Sequence, residues 1–356
     1  MNRDPILFRV DGTQQTGVER LFRCLAFAAA LQRRRRPTYF LSQLEPAHLA
    51  LSIKRAGNEW LEADGPVGTE DDLSETIQEV RRLGPAAVVV DAPEVGENYL
   101  AELVASGTRV VSIDHLANVR FSSHLVVNPL LDPGRDSYEF LPGTQLLLGR
   151  RYAIVRPEIR RVRQVRAQEP AQPFRALIAM GESDLGELAV KVVRLLLPMT
   201  RVSRIDIVAR HHHPALASLQ ELAAAHPDRL EIASEPAEVA SRLTRCHFAI
   251  TGGGGWSLEL ACVGVPQLII VECDSYWPSA RRLEEEGAAV CLGGQGNLSA
   301  STLRQSIQEL LADPDERQAM SRSARKLIDG RGPDRLVTAL EILLHPSRSI
   351  ELKEAA

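Results

Sequence analysis

The sequence lacks the cysteine spacings and the long apolar runs that mark disulfide frameworks, zinc sites and membrane spans. Its five cysteines are odd in number and none forms a C-x-x-C pair, which argues against a disulfide framework and against a structural zinc site. No stretch approaches about 18 consecutive apolar residues, and the first ten residues lack the apolar region of a secretory signal. We therefore expect a cytoplasmic protein without a membrane span, whose cysteines are small core residues.

A strong excess of either charge is also absent. The 356 residues contain 42 Lys and Arg against 46 Asp and Glu, which gives a formal net charge of −4. This balance gives no support to a nucleic-acid binder or to a protein held on an anionic membrane, although a peripheral membrane contact stays open. Charged residues make up 25% and hydrophobic residues 44% of the chain, as in an ordinary globular protein of about two domains.

Short apolar runs alternate with amphipathic helical patterns along the chain. Alternation of this kind implies mostly parallel sheets with helices on their faces. The rhythm restarts after residue 172, so the sequence predicts two α/β halves. The apolar runs lie at residues 6–10, 86–90, 110–113, 125–127, 176–179, 205–208, 248–250 and 268–271, and the helical patterns at 21–31, 99–105, 188–197, 215–225 and 257–263.

An arginine-rich segment lies between the two halves. Residues 150–169 contain seven arginines against two glutamates, and Pro170 and Pro173 follow. We interpret this segment as a solvated linker; the alternative is a basic strip that faces a phosphate ligand. The predicted organisation is a Rossmann-like domain over residues 1–155, a linker over 156–172, a second Rossmann-like domain over 173–346 and a tail over 347–356.

The strongest local signal is a run of four glycines between an apolar strand and a helix. Glycines let a backbone approach a ligand closely, and the first N–H groups of the following helix carry a partial positive charge. The run therefore indicates a diphosphate site, in which Glu259, about one turn into the helix, accepts two hydrogen bonds from a ribose diol. The alternative is a tight turn with a solvated Glu259. The glycines are Gly252, Gly253, Gly254 and Gly255.

A second loop follows the first predicted strand and leads into a helix. Asp11 lies at the end of that strand, and Gly17 lies in the loop. The loop again points a helix N-terminus at the carboxyl edge of a parallel sheet, where ligands of such sheets bind. Its only glycines, Gly12 and Gly17, form neither a dinucleotide nor a Walker fingerprint, so the loop alone does not identify a nucleotide.

Seven segments of the chain match the motifs of one family. They are Arg9-x-Asp11 with Gly17 and Arg23-Cys24-Leu25, residues 112–117 (SIDHLA), 126–129 (VVNP), 152–158 (YAIVRPE), 180–184 (MGESD), 254–259 with 264–266 (GGWSLE and GVP) and 329–335 (DGRGPDR). From about residue 6 to residue 337, the chain resembles the nucleotide-sugar hydrolases of pseudaminic acid biosynthesis and their relatives in spore-coat polysaccharide synthesis, which are related in fold to the peptidoglycan N-acetylglucosaminyltransferase. The resemblance implies the glycosyltransferase-B arrangement, with two Rossmann-like domains facing across a cleft. It also implies a UDP-linked amino sugar as ligand, Ser257 within the binding motif, and no cofactor.

The chain departs from this family at the position of its catalytic-type histidine. Where the family has the second glycine and the histidine of G-x-G-H, this chain has Glu19 and Arg20. An arginine cannot serve as a base because its pKa lies above about 12, but its fork can hold phosphate oxygens. We therefore expect Arg20 to clamp the diphosphate of the ligand.

Two other residues are candidates for the base that deprotonates water. Asp11 lies in the same loop as the missing histidine, and His115 replaces the second aspartate of the family's I-D-D segment. The ordinary pKa of histidine, about 6.5, suits such a base. The alternative for His115 is a helix-cap or loop residue.

The aromatic and histidine residues near the predicted loops have open interpretations. Trp256 and Tyr276 either stack on the base or sugar of the ligand or pack in the core; Ser275 and Tyr276 stand where the family has Asn-Gln. The histidine run at residues 211–213 suggests a metal, but adjacent side chains diverge and rarely converge on one ion. We expect no metal site, although one of these histidines could still reach the ligand.

These observations predict a UDP-sugar-binding protein that hydrolyses a UDP-linked acetamido or diacetamido deoxy sugar in surface-glycan or nonulosonic acid biosynthesis. Two alternatives stay open. One is a glycosyltransferase that uses the same donor site with a sugar or lipid acceptor. The other is a non-catalytic sugar-nucleotide sensor or partner subunit, which the loss of the histidine favours. The oligomeric state is not predicted.

Overall fold

The structure is a computed structural model and describes residues 3–13, 16–166, 168–181, 187–210 and 213–345. The chain divides into two units. The first contains the described residues up to Pro129, the segment Pro133–Ile154 and the described residues from Arg331 onwards, and the second contains Leu130–Asp132 and Val155–Gly330. The predicted tail at 347–356 lies outside the described residues.

The first unit is built on a parallel sheet. Among its described residues the sheet has seven strands in the order β3-β2-β1-β4-β5-β7-β9, and a small parallel pair, β6 and β8, lies apart from it. Central strands such as β4 are buried along their whole length, as expected where helices cover both faces of a sheet. The elements are β1 (Ile6–Arg9), α1 (Glu19–Arg33), β2 (Thr38–Ser42), α2 (Leu49–Arg55), β3 (Glu59–Glu62), α3 (Glu70–Leu83), β4 (Ala87–Val90), α4 (Glu97–Ala105), β5 (Arg109–Ile113), β6 (Arg120–Phe121), β7 (Leu125–Asn128), β8 (Glu139–Phe140), β9 (Gln145–Leu148) and the last helix of the chain, α13 (Gly332–Leu344).

The second unit repeats this architecture. Among its described residues the sheet has six parallel strands in the order β12-β11-β10-β13-β14-β15. Every apolar run and helical pattern expected from the sequence forms a strand or helix in one of the two units, which confirms the α/β class. The elements are α5 (Pro157–Val165), β10 (Phe174–Ala179), α6 (Glu187–Leu196), β11 (Val202–Val208), α7 (Leu216–Ala225), β12 (Leu230–Ala233), α8 (Pro236–Arg245), β13 (Phe248–Thr251), α9 (Gly255–Val263), β14 (Gln267–Val271), α10 (Trp277–Glu285), β15 (Val290–Gly294), α11 (Ala300–Ala312) and α12 (Pro314–Leu327).

The last helix belongs to the first unit, which differs from the predicted second domain of 173–346. Leu336, Val337 and Leu340 of α13 are buried in the same core as the apolar face of α1. Ion pairs fix the helix there, because Arg36 donates to the Glu341 carboxylate at 2.6 and 3.2 Å. Burial of its apolar face against α1 therefore places α13 in the first unit, although the helix follows the second unit in the sequence.

The predicted linker is largely a helix, α5, and its arginines hold the second unit together. Arg163 donates to the backbone carbonyls of Cys262, Arg325 and Ile328 at 2.7–2.9 Å. Arg166 donates to the carbonyls of residues 243 and 246. These carbonyls lie at the C-terminal ends of α8, α9 and α12, where they lack intrahelical partners and carry partial negative charge. Arg163 and Arg166 are therefore structural, whereas Arg150, Arg151 and Arg161 of the same run are exposed.

Both predicted loops lie at the point where the strand order of a sheet reverses. In the first sheet this switch point lies between β1 and β4, and in the second between β10 and β13. Ligands of open parallel sheets bind beyond the carboxyl ends of the strands at such points. The loop that begins at Asp11 follows β1, and the four glycines follow β13, so the topology supports both loops as candidate sites.

Candidate functional site

Three of the four glycines after β13 are required by the packing of the protein itself. A Cβ on Gly252 would lie 2.1 Å from the carboxylate of Glu272, and a Cβ on Gly254 would lie 2.8 Å from the ring of Tyr276. Gly253 has a φ of +91°, in the left-handed region that favours glycine. The backbone of the loop therefore runs directly beneath Glu272 and Tyr276, and this packing accounts for these three glycines without a ligand.

Gly255 differs from the three glycines before it. It is the first residue of α9, it is exposed, and an added Cβ would meet nothing within 4 Å. The N-cap residue Gly254 supplies no side-chain hydrogen bond to the helix. The N-terminus of α9 therefore presents backbone donors and the positive end of the helix dipole at the switch point, which is the arrangement that binds anions.

Glu259 forms a buried ion pair with Arg156, so it is neither solvated nor open to a whole ribose diol. Its Oε1 atom accepts from the backbone N–H and the Nε of Arg156 at 3.0 and 2.8 Å, and its Oε2 atom accepts from Nη2 at 2.5 Å. The side chain of Arg156 is 10% exposed and that of Glu259 is 7% exposed. The Arg156 guanidinium lies 4.5 Å from the ring centroid of Trp256, so this tryptophan stacks on Arg156.

Two other predicted ligand residues of this unit have structural contacts. Ser257 is fully buried, its hydroxyl lies 3.4 Å from that of Thr251, and its backbone carbonyl accepts from Gln267 at 3.1 Å. The ring of Tyr276 packs on Gly254, which agrees with the packing alternative. The side chain of Ser257 is thus buried against Thr251 at the end of β13, and its place in the nucleotide-binding motif stays a prediction.

A carboxylate that the sequence reasoning missed lies at the same edge. Glu272, 7% exposed, follows β14 and accepts from the backbone N–H of Gly181 at 2.9 and 3.1 Å. It thus joins the carboxyl end of β10 to the glycine loop. An acidic residue directly after a buried apolar strand was the available signal, as it is for Asp91 in the first unit.

In the first unit, Asp11 cannot activate water because its carboxylate is already used. It is 2% exposed, it is bonded to Arg9, and it accepts from the backbone N–H groups of Gln43 at 2.8 Å and Val67 at 2.9 Å. Asp11 therefore ties the loops after β2 and β3 to the end of β1, which corrects the expectation of a base. Arg9 is the last residue of β1 and Asp11 follows it by two residues, a spacing that brings two side chains to one side of an extended chain.

The two arginines of α1 near the loop have carboxylate partners. The Nη1 atom of Arg20 donates to both oxygens of Glu94 at 2.9 Å. Arg23 forms a two-pronged pair with the fully buried Asp91. The positive charge of Arg20, which we expected to hold a phosphate, is thus balanced by Glu94. Gly17, with a φ of +70°, forms the turn before α1 by donating to the carbonyl of Thr13 at 2.9 Å.

His115 lies near several charged residues, and its burial favours the neutral ring. Burial lowers its pKa to about 4, the positive charges of Arg23 and Arg20 act in the same direction, and Asp114 and Asp91 act against them. The loop that carries it is fixed, because the Asp114 carboxylate accepts from the backbone N–H groups of Leu116 and Ala117 at 3.0 and 2.8 Å. The ordinary value of about 6.5 expected from the sequence therefore does not hold.

The described residues contain no cluster of three or more His, Cys, Asp or Glu side chains that could hold a metal ion. Of the histidine run, His213 is buried and accepts from the backbone N–H of Ala215 at 3.2 Å, whereas His211 and His212 lie outside the described residues, as does the motif at 182–184. All five cysteines are unpaired, three of them buried and two half-buried. No helix in the described part of the chain is long and apolar enough to cross a membrane.

Two parallel α/β units, each with a candidate site at its switch point, are the components of the glycosyltransferase-B fold. The fold matches Acinetobacter baumannii MurG with a TM-score of 0.63 at 15% identity, covering 95% of this chain and 99% of that one. It also matches the spinosyn rhamnosyltransferase SpnG in complex with thymidine diphosphate, with a TM-score of 0.63 at 17% identity, covering 95% and 100% of the two chains. These likenesses confirm the predicted fold class.

Sequence comparison points to the same group of proteins. The chain is 22% identical to the spore coat polysaccharide biosynthesis protein SpsG of Bacillus subtilis over 62% of its own length and 65% of that protein. It is 28% identical to the UDP-N-acetylglucosamine--N-acetylmuramyl-(pentapeptide) pyrophosphoryl-undecaprenol N-acetylglucosamine transferase of Phenylobacterium zucineum over 52% of its own length and 53% of that protein. The chain thus matches less than two thirds of either relative. No model of a known protein family matches the sequence. The resemblance to the spore-coat polysaccharide proteins, in a fold shared with MurG, is confirmed.

Proposed function

We propose that the second unit binds the diphosphate of a UDP-sugar at the N-terminus of α9 and that the protein hydrolyses the sugar, with release of UDP. The observation that carries this proposal is the exposed, uncapped first turn of α9 at the switch point of the sheet. It offers backbone donors to an anion without requiring an open cationic side chain. The names of the relatives, which include a UDP-N-acetylglucosamine transferase, support a nucleotide sugar as the ligand.

Hydrolysis of such a sugar requires a positioned water, a base and stabilisation of the departing diphosphate. The oxygen of water forms a bond to the anomeric carbon as the bond from that carbon to the diphosphate oxygen breaks, and the proton of water passes to the base. Asp11 is excluded as that base by its four hydrogen-bonded contacts. We propose His115 of the first unit as the base; burial lowers its pKa to about 4, so the ring is neutral at higher pH but accepts a proton only weakly.

A glycosyltransferase is the second candidate, and the names of the relatives favour it. The chemistry at the donor would be the same, with an acceptor hydroxyl in place of water. An exposed apolar patch beside the site of the first unit would indicate a lipid acceptor. Within residues 114–119, the loop that follows β5, Leu116 is the one large apolar side chain that is exposed, at 43%, which is less than a patch. This argues against a lipid acceptor and leaves a sugar acceptor open. We place hydrolysis first because the chain resembles the nucleotide-sugar hydrolases in the motifs given above.

The test is incubation of the purified chain with UDP-N-acetylglucosamine, UDP-N-acetylgalactosamine and UDP-glucose, with chromatography of the released UDP and calorimetry of binding. Release of UDP without any acceptor supports the hydrolase. Binding without release, followed by release when sugar acceptors are added, supports the transferase, and binding without release under all conditions supports a sensor. Absence of binding to UDP and to all three sugars refutes the proposal.

A further inference from the structure

The loop that carries His115 contains a strained residue. Ala117, two residues after His115, has a φ of +53°, in the left-handed region that costs free energy for a residue with a Cβ. Such a conformation persists only where neighbouring contacts hold it. The Oδ2 atom of Asp114 accepts here from the backbone N–H groups of Leu116 and Ala117 at 3.0 and 2.8 Å. The conformation of the loop therefore depends on the orientation of one carboxylate.

A buried tyrosine bonds to the same carboxylate. The hydroxyl of Tyr138 donates to Oδ2 of Asp114 at 3.1 Å and accepts from Nδ2 of Asn128 at 2.8 Å. All three side chains are buried. Burial and the negative charge of Asp114 raise the pKa of Tyr138, so the hydroxyl keeps its proton and stays a donor. Asn128, Tyr138 and Asp114 therefore form a chain of hydrogen bonds that ends at the loop.

The small parallel pair of the first unit brings the tyrosine to this loop. β6 follows the loop, β8 directly follows Tyr138, and the two strands pair with Phe121 opposite Phe140. The ring centroids of Phe121 and Tyr138 lie 5.9 Å apart. This pair lies apart from the main sheet, and its effect is to join Tyr138 to the carboxyl ends of β5 and β7, where Asp114 and Asn128 lie.

We propose that Tyr138 is a positioning residue for His115. Through the carboxylate of Asp114 it holds residues 114–117 in their strained conformation, and this conformation keeps the imidazole of His115 in its half-buried position. The inference rests on the proposed function, in which His115 is the base. It adds a residue that supports the base through a second side chain and does not itself touch the substrate.

The test is an NMR titration of the full chain and of its Tyr138→Phe variant, with the ring signals of His115 assigned from a His115→Gln variant. Phenylalanine keeps the ring but removes the hydroxyl from the chain of hydrogen bonds. The charged groups around the imidazole are the same in both proteins, so a change in the pKa of His115 reports a change in its burial. These groups are Arg23, Asp114, Asp91 and Arg20. We expect the pKa of His115 to rise from about 4 to about 5 or above in Tyr138→Phe, toward its ordinary value of about 6.5.

Tyr99→Phe gives the matched control. Tyr99 is buried in the same unit, and its hydroxyl lies 3.1 Å from that of Thr76, so this substitution also removes one buried hydrogen bond. A general loss of stability would be similar in the two variants, whereas only Tyr138→Phe should change the pKa of His115. For a UDP-sugar that the unmodified chain hydrolyses, kcat should fall about 10- to 100-fold in Tyr138→Phe with KM unchanged, and Tyr99→Phe should leave both constants unchanged.

The outcomes separate this inference from the proposed function. If the unmodified chain hydrolyses no UDP-sugar, the proposed function fails, and the titration alone decides whether Tyr138 positions His115. An unchanged pKa of His115 in a folded Tyr138→Phe variant, or an equal rise in Tyr99→Phe, overturns the inference, as does a raised pKa with unchanged turnover. If Tyr138→Phe does not fold, Asn128→Leu gives the decision, because it removes the donor to the tyrosine hydroxyl and leaves the tyrosine in place. A raised pKa of His115 in Asn128→Leu supports the inference, and an unchanged pKa overturns it.

Discussion

The substitution Gly255→Ala tests the proposed diphosphate site directly, because it should affect stability and binding in opposite directions. An added Cβ at Gly255 would meet nothing within 4 Å, and the residue opens a helix. Alanine is a better helix former than glycine by about 1 kcal/mol in a helix interior and by less at the first position. The free energy of unfolding should therefore stay constant or rise by up to about 1 kcal/mol.

Binding should weaken, because the methyl group would occupy the space through which a diphosphate reaches the backbone. Hydrogen bonds to a charged group contribute about 1.5–3 kcal/mol each. Loss of one such bond from the first turn of α9 gives a cost of about 1.5–3 kcal/mol. The dissociation constant for UDP should accordingly rise by a factor of about 10 to 150.

The assay is calorimetric titration with UDP, together with urea unfolding of the same samples. Gly296→Ala provides the matched control, because a Cβ at Gly296 also meets nothing within 4 Å and the residue lies away from α9 in the chain. The control should leave both quantities unchanged. Equal UDP affinity for the unmodified chain and for a folded Gly255→Ala variant would refute the diphosphate site, and a loss of stability in that variant would refute the open geometry at this residue.

Three further predictions follow from the same contacts. Arg163→Met should lower the free energy of unfolding by about 3 kcal/mol, because three carbonyls at two helix ends lose a charged donor. Urea unfolding should show little change for the control Arg161→Met, since Arg161 is exposed. Equal effects of the two substitutions would mean that the contacts of Arg163 do not stabilise the fold. Glu259→Ala should lower the free energy of unfolding by about 3–5 kcal/mol, because the buried Arg156 guanidinium loses its carboxylate partner. The double change Arg156→Leu with Glu259→Leu should recover part of this loss, and a single variant as stable as the parent would show that the pair is not buried in solution. His115→Gln should abolish turnover of any UDP-sugar that is hydrolysed, whose rate in the unmodified chain should fall only below about pH 4. The unfolded chain binds a proton at His115 below about pH 6.5, whereas the folded chain binds it only below about pH 4. The free energy of unfolding should therefore fall as the pH is lowered from about 6.5 to about 4, and it should fall less in His115→Gln. Identical pH profiles of unfolding for the two proteins would contradict the shifted pKa.

The elements of each sheet were predictable wherever a strand is buried on both faces. The run at 86–90 becomes β4 and the run at 248–250 becomes β13, because such strands are continuous apolar segments. Edge strands carried no such signal: the residues of β15 are all half-buried, and the sequence there contains three glycines among the six residues 291–296. The first unit's last helix was missed for another reason. Its apolar pattern does not specify a core by itself, and its packing against α1 and its ion pairs with Arg3, Arg33 and Arg36 are long-range contacts that no local pattern shows.

The candidate site was predictable in position but not in side-chain role. Four glycines before a helix identified the loop, since that pattern needs only local backbone geometry. Glu259 and Arg156 are 103 residues apart, so no local pattern showed that one neutralises the other. By contrast, Arg9 ends β1 and Asp11 follows it by two residues, a spacing that places two side chains on one face of an extended chain, so a pairing of the two was a possibility visible in the sequence.

The ion pairs of the two units limit which groups can bind an anionic ligand. Buried or half-buried charges are costly unless they are paired, and Arg20, Arg23 and Arg156 each have a carboxylate partner. Recruiting one of these arginines to a phosphate would leave its carboxylate uncompensated, so the free energy of the new contact would be offset by the loss of the old one. Backbone N–H groups at the start of α9 carry no such cost, because no side chain caps them. The diphosphate should therefore be bound mainly by the backbone of the second unit, while the arginines keep the neighbouring carboxylates neutralised.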